Sequence, residues 1–431
     1  MRLILALRKK AHYGWAIFGL SFINLTVEGG IKNSEPVFFV ALLNTFGAGA
    51  AATAALFSVA GLVGAFSAPF LGRFLDNAGP KVMFSLAGFV ILLGWLASSL
   101  ATDLWQLFIL YSVIEAIGQT SVSSFSNTAV LAPWFPNTTG RILGLADSGN
   151  PTGQLIFTPL ASVLVASFGW RASYQIFGGI FFLLVTPANF LFQRPYKLLQ
   201  SRAESPVNST KVDTNVPDLK VRIPSDLSNS LSLSIKDLLA FWEVWVLVTT
   251  RIFGGIGNQI IRLHLVAFFL IAGYSPLEAG SVIGVTGLLN MVGRPVTGAL
   301  SDRFGREVCY TVTMAMFISS IILVLLFGGG ERLWPLVIYV GLAGLSEGTM
   351  GLIVGAKATD MFPPNILGSA MGLVEIGRGI GIAVGPVLGG LLFDISGNYT
   401  AAFTISIIFT LLSVCSIWFL RIGSVHPRSS P

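Results

Sequence analysis

The chain has 431 residues, of which 53% are hydrophobic and only 11% charged, and its mean hydropathy is +0.78. A soluble domain carries roughly 25% charged residues, so most of this chain is built to face lipid, and the same apolar content excludes a disordered chain. The net charge of +6 reads as basic loops on one membrane face rather than as a nucleic-acid surface, and two cysteines inside apolar runs, Cys309 and Cys415, exclude a disulfide framework.

Stretches of about 20 apolar residues, enough to cross a ~30 Å hydrocarbon layer as helix, recur along the chain. The first six cover 14–42, 51–71, 82–101, 104–131, 140–167 and 173–193. The second six cover 242–270, 277–300, 308–328, 333–359, 367–393 and 399–420. Strands of a membrane barrel would alternate in polarity over about ten residues, and no such alternation occurs. The run from Gly14 is too long for a signal-peptide core and reads as a retained helix.

Between the two sets lies 194–240, rich in Ser, Pro, Asn and charge, which reads as a polar linker with a short amphipathic helix near Ile235–Leu239. The expected organisation is therefore a six-helix half over 1–193, a cytoplasmic linker over 194–240, a second half over 241–421 and a tail over 422–431. With the N-terminus inside, nineteen Lys and Arg fall on inner segments and only Arg171 and Arg332 on outer loops, which puts both termini in the cytoplasm.

The two halves repeat one another. Gly72, Asp76 and Gly79 after the second span match Gly298, Asp302 and Gly305 after the eighth, 226 residues on. Trp134-Phe135-Pro136 matches Met361-Phe362-Pro363 at 227, and Gly140, Gly144, Gly149 and Gly153 match Gly368, Gly372, Gly377 and Gly381 at 228. A near-constant shift over separate motifs indicates duplication, and six-helix repeats in a membrane point to a secondary transporter with its site between the halves.

The loops Gly72-Arg-Phe-Leu-Asp76-Asn-Ala-Gly79-Pro-Lys81 and Gly298-Ala-Leu-Ser-Asp302-Arg-Phe-Gly305-Arg306 resemble the signature loop of the major facilitator superfamily, twice and in the expected places. The resemblance implies an all-α membrane fold of twelve helices in two pseudo-symmetric halves. It also implies a gating role for Gly72, Asp76, Gly79, Gly298, Asp302 and Gly305. The carboxylates would clamp helix ends, the glycines make the turns, and the basic residues rest at lipid headgroups.

Within that superfamily, Tyr13-Gly14-Trp15 and Ile31-Lys32-Asn33-Ser34 of the first span, Asn290-Met-Val-Gly293-Arg294-Pro295 of the eighth and Gly169-Trp170-Arg171 together resemble the monocarboxylate transporters and their bacterial relatives. The resemblance implies a proton-coupled carrier of small organic anions in which Lys32 and Arg294 are functional and Asn290 stands at a position that is acidic or amidic in the family. Glu28 and Glu35, which flank Lys32, depart from the usual first-span pattern.

Charges inside a bilayer are retained where they face a cavity and a partner. Arg294 offers a planar fork for a carboxylate, with Asn290 one turn away; its structural alternative is an ion pair with Glu347. Lys32 either binds anion or pairs with Glu28 and Glu35. Tyr111, Glu115 and Gln119, spaced by four, form a polar stripe expected to line the cavity. Arg378 is either a second anchor for a dicarboxylate or the partner of Glu375. Arg251, Asn258 and Arg262 share one face of the seventh span, with Arg262 close enough to its outer end to snorkel. His264 and Asp147 read as satisfied structural groups.

The expected site therefore holds Arg294, Asn290, Lys32, Tyr111 and Arg378 for substrate, and Glu347, Glu28 and Glu115 for protons. The small residues of 149–153 and 381–390 read as helix-packing motifs. No phosphate-binding loop, metal-ligand spacing or nucleophile motif is present, so neither an enzyme nor a cofactor is expected. The expected partners are a small organic anion, a proton and the bilayer, with no nucleic acid, for a carrier acting as a monomer in a bacterial inner membrane. Exchange of dicarboxylates and proton-driven export of drugs or metabolites stand as alternatives.

Overall fold

The computed structural model describes residues 2–135, 139–194, 240–329, 332–362 and 364–424. The Ile235–Leu239 helix, the 422–431 tail beyond residue 424 and Pro136 and Pro363 of the repeats lie outside the described residues. The Asp76 side chain and those of 2–12, 125, 139–141, 364–369 and 421–424 are likewise not described.

The first half runs α1 (Tyr13–Phe46), α2 (Ala50–Leu75), α3 (Asn77–Ser99), α4 (104–131), α5 (139–168) and α6 (170–192). The second runs α7 (Trp242–Ile271), α8 (Pro276–Phe304), α9 (Arg306–Phe327), α10 (Trp334–Met361), α11 (Pro364–Ser396) and α12 (Thr400–Ser424). Nine stretches among the described residues are long and apolar enough to cross a membrane. One of them, Ile142–Phe192, is α5 and α6 folded back on each other at Gly169, whose φ is +77°. The polar α4 and α8 complete the twelve. At α8 a capping box starts the helix: Ser275 and Glu278 satisfy each other's backbone N–H groups behind Pro276.

The duplication is visible in the backbone. Glycines with left-handed φ end the same hairpins in both halves: Gly47 and Gly273, Gly79 and Gly305, Gly169 and Gly397. A side chain is strained at such angles, so glycine recurs at these turns. Both halves also break their fourth helix. In α4 the break is at extended Ser123, and Asn127 closes it by donating to the Val122 carbonyl at 2.7 Å. In α10 it is at Glu347 and Gly348. A six-residue π-helical stretch, Leu110–Glu115, precedes the first break.

Inside each half, paired crossings of small residues bring backbones together. Gly149 and Gly153 of α5 lie against Phe22 and Thr26 of α1; Gly377 and Gly381 of α11 lie against Val248 and Gly255 of α7. Three buried asparagines, Asn24, Asn127 and Asn189, tie α1, α4 and α6 by side-chain hydrogen bonds. His264 is fully buried; Nε2 lies 2.9 Å from the Pro386 carbonyl and its ring meets Phe39 edge-on, the structural role expected of it.

The halves meet along α5–α8, α2–α11 and α1–α7. At one end the Asp394 carboxylate of α11 accepts the backbone N–H groups of Ala50 and Ala51, at 2.8 and 2.9 Å, where α2 begins. Gly280, Gly284 and Gly287 of α8 then pack on Ser162, Pro159 and Pro151 of α5, and Gln154 donates to the Ile283 carbonyl at 2.7 Å. On the far side of this seam the helices part. Gly144 of α5 has open space around it, and Ala65 and Pro69, which follow Gly61 on the same face of α2, are exposed. The bundle is thus closed at the Asp394 end and open toward the signature turns.

Of those turns, Gly79 and Gly305 have the left-handed geometry expected. The basic residue of the second turn is held by two carboxylates. Arg306 is bridged by Asp302 at 2.5 Å and by Asp360 of α10 at 2.9 Å, because Asp360 ends a neighbouring helix and presents its carboxylate to that turn. Lys81 of the first turn covers the Phe190 ring at 4.3 Å.

Candidate functional site

Where the two halves meet, a small cavity opens among Asn33 of α1, Gln154 of α5, Asn258 and Arg262 of α7, Tyr339 and Glu347 of α10. Arg262 faces this cavity, and its Nη2 lies 3.5 Å from the Lys32 carbonyl. The snorkelling reading of Arg262 is therefore corrected: α7 packs with Asn258 and Arg262 turned between the halves, where the guanidinium lines a polar cleft.

Arg294 lies outside the lining of that cavity, further along α8 from Ile283 and Thr286, which do line it, and 36% of its side chain is exposed. Its Nε donates to Asn290 Oδ1 at 2.9 Å, the one-turn pairing expected from their spacing. Its ionic partner is not Glu347. Nη1 donates to Asp147 Oδ2 of α5 at 2.9 Å, across the two halves. The break in α10 is the reason. Gly348, with φ +76°, brings backbone against the Arg294 guanidinium, where a Cβ would overlap it, and Glu347 is turned instead toward Arg262 and Gln154. Asp147 is satisfied, as expected, but its ionic partner comes from the other half.

On α1, Glu28 is 4% exposed and lies within electrostatic reach of Lys32 and Asp147. Lys32 and Glu35 are half-buried, and the Tyr111 hydroxyl is turned to the Glu35 carboxylate. The polar stripe of α4 departs from its expected place. Tyr111 is 4% exposed and stacks on Tyr174 at 6.1 Å, while Glu115 is 1% exposed, accepts the Gln119 amide and packs against Gly94 of α3. The π-helical stretch rotates these side chains into the first half rather than into the cavity.

Arg378 is not an isolated second anchor. Glu375 accepts Arg251 Nη2 at 2.7 Å on one oxygen and Arg378 Nε at 2.6 Å on the other. Arg251 is 8% exposed and depends on this carboxylate, whereas Arg378 is 51% exposed. Glu375→Gln is therefore expected to destabilise the protein by about 2 kcal/mol, less than the ~3–5 kcal/mol of a fully buried pair because Glu375 is itself partly exposed. Arg378→Ala should cost under ~1 kcal/mol. Thermal unfolding of the purified variants in detergent checks the difference.

Sequence reasoning missed Asp147 as the partner of Arg294 and Arg262 as a cavity group. Both carried a signal. Asp147 is an acid inside an apolar span, and Arg262 follows Asn258 by one turn, on one face of the helix. Among the described residues no cluster of His, Cys, Asp and Glu suited to a metal ion occurs.

Comparison with known proteins agrees with this architecture. Monocarboxylate transporter 13 of Rattus norvegicus is 25% identical over 93% of this chain and 87% of that protein. Monocarboxylate transporter 12 of Homo sapiens is 24% identical over 95% of this chain and 81% of its own. Among solved structures, the nucleoside transporter NupG superposes with a TM-score of 0.73 at 13% identity, covering 96% of this chain and all of that one. A bacterial homologue of the human lysosomal transporter Spinster gives 0.65 at 15% identity, covering 96% and 95%. Residues 17–340 and 273–431 match the Major Facilitator Superfamily. With its twelve helices, its duplicated halves and a polar cavity between them, the chain belongs to that superfamily of membrane transporters.

Proposed function

We propose that this transporter carries a small organic anion of the monocarboxylate type, coupled to a proton, by alternating access of 1–193 and 241–421 around the central cavity. The observation that carries this reading is Arg294: a partly exposed guanidinium at the inter-half seam that holds a carboxylate at 2.9 Å. Such a fork binds carboxylates by charge-assisted hydrogen bonds. Lys32 and Arg262 add positive charge to the same cleft, and Asn290 fixes the guanidinium. The likeness to the monocarboxylate transporters 12 and 13 points to the same substrate class. Glu347 and Glu28, each beside one of these cations, are the proposed proton carriers; Glu115, enclosed with Gln119, is placed to relay charge only inside the first half. The dicarboxylate reading draws no support from Arg378, which Glu375 already holds.

With both termini in the cytoplasm of the plasma membrane, the Asp394 end faces outside and the conformation is open inward. The relatives compared are vertebrate transporters, so a bacterial inner membrane has no support from them. The test is uptake of labelled lactate, pyruvate and oxalate into proteoliposomes with and without an inward proton gradient. Uptake of one acid rising at least 5-fold with the gradient is the expected result. Equal uptake with and without it removes the proton, and no uptake of any acid removes the anion.

A further inference from the structure

The receptor at Arg294 is occupied by the protein itself. Asp147 Oδ2 accepts a hydrogen bond from Arg294 Nη1 at 2.9 Å. The other oxygen, Oδ1, accepts the Ser124 hydroxyl at 2.6 Å and the Asn150 amide at 3.2 Å. Ser124 stands immediately after the break in α4, so the broken helix delivers a hydroxyl to the root of α5. The carboxylate belongs to one half and the cation to the other, and each side chain is 36% exposed.

From this arrangement we propose that Asp147 is a tethered stand-in for the substrate carboxylate: it neutralises Arg294 when the carrier is empty and yields Arg294 when an anion arrives. The proposal rests on the reading of Arg294 as the anion receptor. Two features of the geometry support displacement. Asp147 engages the guanidinium through Nη1 alone, one point of the fork, whereas a free carboxylate can present two oxygens to two parallel N–H groups. Once displaced, Asp147 keeps its hydrogen bonds to Ser124 and Asn150, so it is not left as a bare charge. Glu28 of α1 and Glu347 of α10 are the other acids facing this pair, and neither forms the ion pair with Arg294.

The consequence concerns the return step. A carrier that makes net transport must change conformation without substrate, and an uncompensated guanidinium between the halves resists that change. In Asp147→Asn, Arg294 has no resident carboxylate and is neutralised only by bound anion. Such a variant exchanges one anion for another but cannot return empty.

The experiment compares net uptake into empty proteoliposomes with exchange into vesicles preloaded with the same acid, for wild type, Asp147→Asn and Asp147→Glu. In Asp147→Asn the ratio of net to exchange flux is expected to fall at least 10-fold and the KM for exchange at least 3-fold, while Asp147→Glu recovers the wild-type ratio. Surviving exchange also reports that the variant is folded. A ratio unchanged from wild type, whether both fluxes persist or both fall, overturns the proposal. Failure of the wild type to move any acid overturns the anion reading itself and the proposal with it.

Discussion

Arg294→Ala lowers kcat/KM for anion uptake by roughly 30- to 1,000-fold; this is the largest functional effect expected of a single substitution here. Truncating one partner of a hydrogen-bonded charge pair that closes off from water when the anion binds costs about 2–4 kcal/mol, and every 1.4 kcal/mol is tenfold. Arg294→Lys separates charge from shape. It keeps the cation and loses the fork, so it should recover part of the loss but not the whole. Initial rates at several substrate concentrations in proteoliposomes measure both. Uptake by Arg294→Ala within 3-fold of wild type would move the anion receptor elsewhere, and Arg262 is the cation the cavity offers next.

The largest structural effect is expected at the small-residue crossings. A Cβ at Gly153 would overlap the Thr26 carbonyl oxygen of α1 and approach the Gly30 nitrogen to 2.6 Å; at Gly381 it would come within 2.7 Å of the Gly255 Cα of α7. These neighbours are backbone, which cannot rotate away as a side chain can. Gly153→Val and Gly381→Val should each cost about 3 kcal/mol or more, at the upper end of overpacking penalties. The expected readout is loss of the monodisperse peak when the variants are extracted in detergent. Gly179→Ala, where nothing lies within 4 Å, is the control and should be indistinguishable from wild type.

Much of the fold was legible in the sequence because the bilayer imposes a length and the duplication imposes a period. The spans fell out of apolar runs, and the pairing of the halves fell out of glycines that the structure places in left-handed turns and close crossings. What could not be read were the local departures from a straight α-helix. The π-helical stretch in α4 turned Tyr111 and Glu115 away from the cavity, although their spacing of four correctly kept them on one side of the helix. The break at Glu347 and Gly348 similarly gave Arg294 a different partner. Spacing along a helix reports neighbours on that helix, as with Asn290 and Arg294. It is silent on which residue of another helix arrives opposite, and Asp147 was found only by placing α5 against α8.

The seal at the Asp394 end has a consequence for how the carrier divides its time. One carboxylate of α11 sits on the first two N–H groups of α2, at 2.8 and 2.9 Å, where the helix macrodipole is positive. Such a contact is worth ~0.3–2 kcal/mol, which weights one arrangement over another by only about 2- to 30-fold. That contact alone therefore biases the resting population only modestly, beside the α5–α8 packing of the same seam. It is also a contact that dissolved salt weakens as the two ends separate. The ionic strength of the medium on that side thereby becomes a control on the fraction of carriers standing open to it.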